Sequence, residues 1–289
     1  MAHLTQPLPK AKIIQRLVKE CLREDLGNGD LTARLTPKES EIEGKIITRE
    51  DGIICGTAWV DEVFRQVAKK HKTTISIDWQ VNDGEHVKEN QVLCRFEGLA
   101  HPVLSGERSA LNIMQTLSGT ATTTQEYCQA IAHTNTRLLD TRKTLPSMRE
   151  AQKYAVLCGG GLNHRIGLYD GIIIKENHLR SGKSLTDIVA DAIASVPEGT
   201  LVELEVENLD ELQQGLQAGA KRIMLDDFSL DDLRAAVKLT GDQANLEASG
   251  NVNLDTIAAI AETGVDFISS GAITKHVKAL DLSMLFNYR

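Results

Sequence analysis

From Arg137 to Ser269 the chain alternates short apolar runs with amphipathic stretches, and this restricts the possible folds more than any other feature of its 289 residues. The apolar runs are Arg137–Leu139, Gly171–Ile174, Leu201–Val206, Arg222–Leu225, Ala244–Ala248 and Asp266–Ser269. Between the later ones lie segments of helical period: Thr186–Val196, Asp210–Ala218, Leu230–Leu239 and Leu254–Glu262. Ser184-x-x-Asp187 and Ser229-x-x-Asp232 are N-terminal capping patterns, and Gly219, Gly241 and Gly264 stand where helix C-caps belong. Strands separated by helices run parallel, so the sheet is doubly wound or curls into a barrel. The residues after each strand separate the two. In order they are Asp140-Thr141-Arg142-Lys143, Lys175-Glu176, Glu205 with Glu207, Asp226-Asp227, Ser249-Gly250-Asn251 and Ser270-Gly271. A barrel gathers all such carboxyl ends at one mouth, its active face. An open sheet concentrates function at one switch point, and no G-x-G-x-x-G turn follows a strand here. A barrel is expected.

The N-terminal part has a different texture. Lys10–Asp25 places Ile13, Ile14, Leu17, Val18, Cys21 and Leu22 on one helical stripe, which Gly27-Asn28-Gly29-Asp30 ends with turn chemistry. From Glu41 to Gly98 the runs are short and β-like around one helix near Ala58–Lys70. Asp83–Val87 followed by Val92-Leu93-Cys94 has the hairpin texture of hammerhead-like carrier folds, without a Met-Lys-Met or Asp-Lys-Ala tip for a swinging cofactor. This half therefore reads as a scaffold or interface. Ser105–His133 reads as a long helix with a break near Gly119. The expected division is an N-terminal α/β sandwich domain of residues 1–117, joined by the tail 275–289, and a barrel domain of residues 118–274.

A formal net charge of −8 argues against nucleic acid or a membrane surface as the main partner. Within that acidic chain, Arg137–His178 holds seven Lys or Arg against four acids. The five cysteines are scattered and form no C-x-x-C pair, as expected of free thiols in a reducing compartment. No apolar run approaches membrane-spanning length, and the N-terminus carries no apolar signal core. A cytoplasmic protein is expected.

Arg142 with Lys143, His164 with Arg165, and Lys175 supply five cationic or donor groups flanking strand ends and the Gly159-Gly160-Gly161 run. Singly, each reads as readily as a surface ion-pairing residue, and Arg108 as a solvated helix residue. Together the five suggest a pocket for a small, highly anionic ligand, because Arg offers a planar fork and Lys a mobile point charge. Glu205 and Asp226 end neighbouring strands, where carboxylates can bind Mg²⁺, accept from sugar hydroxyls or stabilise developing positive charge. Alternation in Leu201–Glu207 puts Glu203, Glu205 and Glu207 on one face, and a wrapped barrel has no strand face to spare for solvent. Ser249-Gly250-Asn251 and Ser270-Gly271 close the last two strands, a recurring place for a phosphate; each alone is also an ordinary turn. The combination points to a phosphorylated sugar meeting an anionic acceptor. Two other classes stay open: a Schiff-base aldolase on Lys175, and a non-catalytic anion-binding protein.

Glu107-Arg108-x-Ala110-Leu111-Asn112, Asp140-Thr141-Arg142-Lys143-Thr144, Gly159-Gly160-Gly161-x-Asn163-His164-Arg165, Ile174-Lys175-x-Asn177-His178, Glu205-Val206-Glu207, Leu225-Asp226 and Glu247-Ala248-Ser249-Gly250 follow one another in this order. As a set, from about Glu24 to the C-terminus, they resemble the quinolinate phosphoribosyltransferase family; a molybdate-operon relative of that family shares much of the pattern. The resemblance implies an α/β sandwich domain plus an incomplete (β/α) barrel. It implies conversion of quinolinate and phosphoribosyl pyrophosphate, with Mg²⁺, to nicotinate mononucleotide, pyrophosphate and CO₂ in NAD biosynthesis. A homodimer is implied, with Arg108 donated across the interface. Arg142, His164, Arg165 and Lys175 would hold quinolinate's two carboxylates, and Lys143 would sit between quinolinate and pyrophosphate. Glu205 and Asp226 would meet the ribose and the metal, directly or through water. Ser249, Gly250, Asn251 and Gly271, with Ser270 beside them, would hold the 5′-phosphate. The chain departs from the family pattern in three places: Asn251 replaces a glycine, Glu176 stands where Asp is common, and the stretch Leu145-Pro146-Ser147-Met148 replaces a Pro-Gly pair.

Overall fold

The computed structural model describes residues 8–175 and 183–289, so Glu176, Asn177 and His178 lie outside the described residues. Twelve strands run through them: β1 (Glu41–Thr48), β2 (Gly52–Ile53), β3 (Ser76–Trp79), β4 (His86–Val87), β5 (Val92–Leu99), β6 (Arg137–Leu139), β7 (Gly171–Ile174), β8 (Leu201–Val206), β9 (Arg222–Asp226), β10 (Asn245–Ser249), β11 (Phe267–Ser269) and β12 (Leu282–Tyr288). The chain divides into two units. The first is built on residues through Gln125, Leu145–Gly160 and His276–Arg289, the second on Glu126–Thr144 and Gly161–Lys275.

The first unit centres on an antiparallel sheet of order β12-β1-β5-β3. The helix Thr57–Lys70 buries Trp59, Val60, Val63, Phe64 and Val67 in a core shared with Ile42, Ile46, Leu93 and Phe96 of the sheet. The helix Ala11–Leu26 adds Ile14, Val18 and Leu22, three positions of the stripe read from the sequence. Burial of these aliphatic and aromatic side chains, at about 1.5–3 kcal/mol each, is the main force holding the unit together.

Two helical features differ from the sequence reading. The long helix spans Ala100–Ala130 without a break at Gly119. A Cβ there would stand 2.9 Å from the carbonyl carbon of Lys278 and 3.0 Å from Cα of Ala279. Glycine at this point serves close passage of the C-terminal tail, not a kink. A helix at Arg149–Cys158 is not expected from the sequence, where Arg149, Glu150 and Lys153 interrupt the apolar pattern; Ala151, Tyr154 and Ala155 recur at helical spacing on its buried side.

The second unit is a six-stranded, all-parallel sheet of order β6-β11-β10-β9-β8-β7. This is chain order around a ring opened between its first two strands, with no reversal and therefore no switch point. The expected incomplete barrel is what forms. Ser184 and Ser229 accept from the N–H of Asp187 (3.1 Å) and Asp232 (3.2 Å), opening the helices Leu185–Ala194 and Leu230–Thr240 as the capping patterns predict. Asn208 caps a third, Leu209–Gln217, through the N–H of Glu211 (2.9 Å). Among the described residues no helix is long and apolar enough to cross a membrane.

Candidate active site

Parallel strands bring their carboxyl ends to one rim, and the register fixes who sits beside whom. Asp226 at the end of β9 is opposite Ser249 at the end of β10. The N–H of Asp227 donates to the Ser249 carbonyl (2.9 Å), and that of Ser270 to the Leu139 carbonyl at the end of β6 (3.0 Å). Next to it, the aliphatic part of Lys143 crosses Gly271: a Cβ on that glycine would stand 2.7 Å from Lys143 Cδ. Thr274 Oγ1 donates to the Lys143 carbonyl (2.8 Å), tying the end of β6 to the turn after β11. The sequence-expected groups Lys143, Asp226, Ser249, Gly250, Asn251, Ser270 and Gly271 thus occupy consecutive positions of one rim.

The loop after β10 answers how a non-glycine fits at position 251. Asn251 is left-handed at φ 50°, a region Asn tolerates better than most residues. Its Nδ2 donates to Asp227 Oδ1 (3.0 Å), so the side chain latches the turn that a glycine would leave free. Asp227 is itself left-handed at φ 55°, and Gly250 at φ 101° completes the turn.

On the other edge of β6, Leu162 bridges to Leu139 at the opening of the ring. That bridge sets the course of the following residues. Asp140, fully buried, accepts from Asn163 Nδ2 (2.7 Å) and from the His164 N–H (2.9 Å). Arg165 then turns its Nη1 to the Gly171 carbonyl (2.9 Å), while its Nε is buried without a hydrogen-bond partner among the described residues. Burial and the neighbouring positive charge of Arg142 lower its pKa from the ordinary arginine value, against the opposing pull of Glu203, Asp170 and Glu205. Two guanidinium groups close enough to repel each other, one with an unpaired donor, form a natural receptor for an anion. Lys175, at the end of β7, pairs with Glu205 of β8. Arg142, Arg165, Lys175 and Glu205 are thereby brought together. Arg108 is exposed on the helix Ala100–Ala130 and belongs to the first unit.

His164 is placed differently from a ligand-facing cation. Only 8% exposed, its ring sends Nε2 to Glu203 Oε2 (2.8 Å) and accepts the Arg165 N–H at Nδ1 (2.7 Å). Burial works against charging this imidazole, but the hydrogen bond to Glu203 and the charges of Glu247 and Glu203 outweigh it and raise its pKa. Beneath it lies a layer that the sequence reading missed. Arg222 donates Nε to Glu203 Oε1 (3.1 Å) and Nη2 to Glu247 Oε2 (2.6 Å), with its guanidinium carbon 3.6 Å from the centroid of the Phe267 ring. Both glutamates are fully buried. Strand alternation put Glu203 on the inward face with Glu205, and Glu247 entered only as part of the Glu247-Ala248-Ser249-Gly250 motif; nothing local in the sequence marks Arg222 as their partner.

Metal chemistry can be weighed from the donor sets. His164, Glu203 and Glu247 lie within metal-ligating distance of one another, but Arg222 stands between the two carboxylates and already supplies the countercharge. Glu205 and Asp226 are a different case: half-buried carboxylates from adjacent strands at the rim. Two hard oxygen donors that leave most coordination positions to water and phosphate suit Mg²⁺.

Residues 30–118 match the family model described as quinolinate phosphoribosyl transferase, N-terminal domain, and residues 120–285 match the C-terminal domain of the same name. The chain is 37% identical over 271 residues to a probable nicotinate-nucleotide pyrophosphorylase [carboxylating] of Bacillus subtilis, covering 94% of this chain and 92% of that protein. It is 38% identical to the Synechocystis protein of that name, covering 96% and 94%. The solved nicotinate-nucleotide pyrophosphorylase of Francisella tularensis superposes with a TM-score of 0.91 at 46% identity, covering 96% of each chain.

Proposed function

The chain belongs to the quinolinate phosphoribosyltransferase family, and from that premise we propose how its own residues divide the work. The reaction joins quinolinate to phosphoribosyl pyrophosphate and yields nicotinate mononucleotide, pyrophosphate and CO₂, a step in NAD biosynthesis. The observation that carries the residue assignment is Arg165, whose buried Nε lacks a partner while Arg142 crowds it. A bound carboxylate would meet that Nε and offset the repulsion between the two guanidinium groups.

Arg142, Arg165 and Lys175 receive quinolinate's carboxylates, and Arg108 joins them from a second copy of the chain in a homodimer. The exposure of Arg108 supports that role, since a side chain free of the core can reach a partner. His164 serves by holding Arg165 in place. The turn formed by Ser249, Gly250 and Asn251, with Ser270 and Gly271, holds the 5′-phosphate, where backbone N–H groups can approach closely.

Bound this way, quinolinate presents its ring nitrogen to C1 of the ribose as pyrophosphate departs. Positive charge grows on the sugar and negative charge on the leaving group. Glu205 and Asp226 stabilise the first, Lys143 the second. Mg²⁺, held by Glu205 and Asp226 directly or through water, would supply further countercharge to the phosphates when bound. No covalent enzyme intermediate is needed, because alignment alone removes much of the barrier. Once ribosylated, the ring nitrogen is cationic and stabilises the electron pair left on the adjacent ring carbon as its carboxylate departs as CO₂; a proton from water then completes that carbon's C–H bond. Free thiols at all five cysteines support a cytoplasmic location.

The direct test is to supply quinolinate, phosphoribosyl pyrophosphate and Mg²⁺ and follow nicotinate mononucleotide and CO₂ together. Equal amounts of both are expected. Nicotinate in place of quinolinate should react far more slowly, because it has one carboxylate fewer to meet the buried Arg165 Nε and the charges beside it. Comparable use of nicotinate would refute the dianion assignment.

A further inference from the structure

Buried ionic groups are costly, and the second unit concentrates Glu203, Arg222 and Glu247 in one layer around the His164 ring. Desolvation of such a group amounts to several kcal/mol per ion, so a hydrophobic layer would stabilise the barrel at least as well. What the ions provide instead is direction. Glu203 Oε2 meets His164 Nε2, His164 Nδ1 meets the Arg165 N–H, and Arg165 Nη1 meets the Gly171 carbonyl, an unbroken run of 2.8, 2.7 and 2.9 Å. Because Nδ1 accepts, the ring proton must sit on Nε2. Only a full acceptor at Glu203 Oε2 selects that tautomer. Arg222 holds Glu203 Oε1, and Phe267 backs Arg222, so the carboxylate cannot rotate away.

Resting on the assignment of Arg165 to the dicarboxylate, we propose that Glu203 is a positioning residue for that substrate: it sets the tautomer of His164, and the imidazole then fixes the Arg165 backbone that aims the guanidinium. Glu203 never touches substrate. Arg222 and Glu247 act one step further back, as the clamp that keeps Glu203 in register with the histidine.

The variant that separates direction from mere packing is Glu203→Gln. Its amide oxygen goes to the charged Arg222 donor, leaving its NH₂ to face His164 Nε2. Nε2 must then give up its proton, and the proton on Nδ1 collides with the Arg165 N–H. Two readouts follow. With ¹⁵N-labelled histidine at alkaline pH, NMR of the wild type shows His164 protonated on Nε2 and bare on Nδ1, and Glu203→Gln inverts this. Steady-state kinetics show KM for quinolinate raised about tenfold or more, on the order of the loss when the carboxylate orienting a metal-bound histidine is removed, with KM for phosphoribosyl pyrophosphate changed by less than about twofold. Wild-type His164 protonated on Nδ1 overturns the proposal without any variant, and so decides it even if Glu203→Gln fails to fold. Equal rises in both KM values, or an inverted tautomer with an unaltered KM for quinolinate, also overturn it. Wild-type enzyme that ignores quinolinate would instead remove the substrate assignment, and the tautomer measurement would still report on the relay.

Discussion

Arg165→Met separates a binding group from a structural one. In the free protein the guanidinium gains one hydrogen bond, to the Gly171 carbonyl, and keeps Nε buried with no partner beside the charge of Arg142. Losing the Gly171 bond costs on the order of 1 kcal/mol, while relieving an unsatisfied buried donor returns about 1–3 kcal/mol. Methionine refills most of the aliphatic volume. The terms nearly cancel, so stability without ligand should change by less than about 1–2 kcal/mol, a shift of only a few degrees in Tm. Binding has no such compensation. A charge-assisted pair with a carboxylate is worth about 1.5–3 kcal/mol, so quinolinate affinity should fall roughly 10- to 100-fold. Preference for quinolinate over nicotinate should shrink with it. Calorimetric titration with quinolinate and a thermal melt of the ligand-free variant read the two effects separately. A melt lowered by more than about 10 °C with quinolinate affinity intact would show that Arg165 supports the loop and does not receive the substrate.

Two further outcomes test other parts of the site. If Arg108 acts in the partner's site, Arg108→Ala and Lys143→Ala proteins, each inactive alone, should regain part of the wild-type rate when their subunits are exchanged, because one hybrid site is intact; no recovery after confirmed exchange would place Arg108 outside the chemistry. Asn251→Gly keeps the left-handed turn and loses only the bond to Asp227, about 1 kcal/mol, so KM for phosphoribosyl pyrophosphate should rise less than about tenfold. Asn251→Val forces a β-branched residue to φ 50° and should cost more. Equal effects of the two substitutions, or effects on quinolinate instead, would detach Asn251 from the phosphate turn.

The elements and their order were legible in the sequence because their causes are local. Period, caps and turn residues mark the strands and most helices between Arg137 and Ser269, and Ser184 and Ser229 cap where their spacing says they should. Parallel pairing with polar carboxyl ends then implied a barrel, and the ordered motifs implied its chemistry. Gly119 shows where local reading stops: the same residue breaks a helix or admits a neighbouring chain, and only the path of Lys278 and Ala279 decides which. Glu203 and Glu205 show it again. Two residues apart on one face of β8, they share one alternation, which says nothing of what either touches. Closure of the ring buries the first against Arg222 and His164 and leaves the second at the rim with Lys175. His164 likewise reads as a donor for a ligand until the fold commits both ring nitrogens to protein. Periodicity and capping act through neighbours in the chain, so sequence alone determined them; depth, hydrogen-bond partners and charge environment arise from residues tens of positions apart, so only the tertiary structure could decide them.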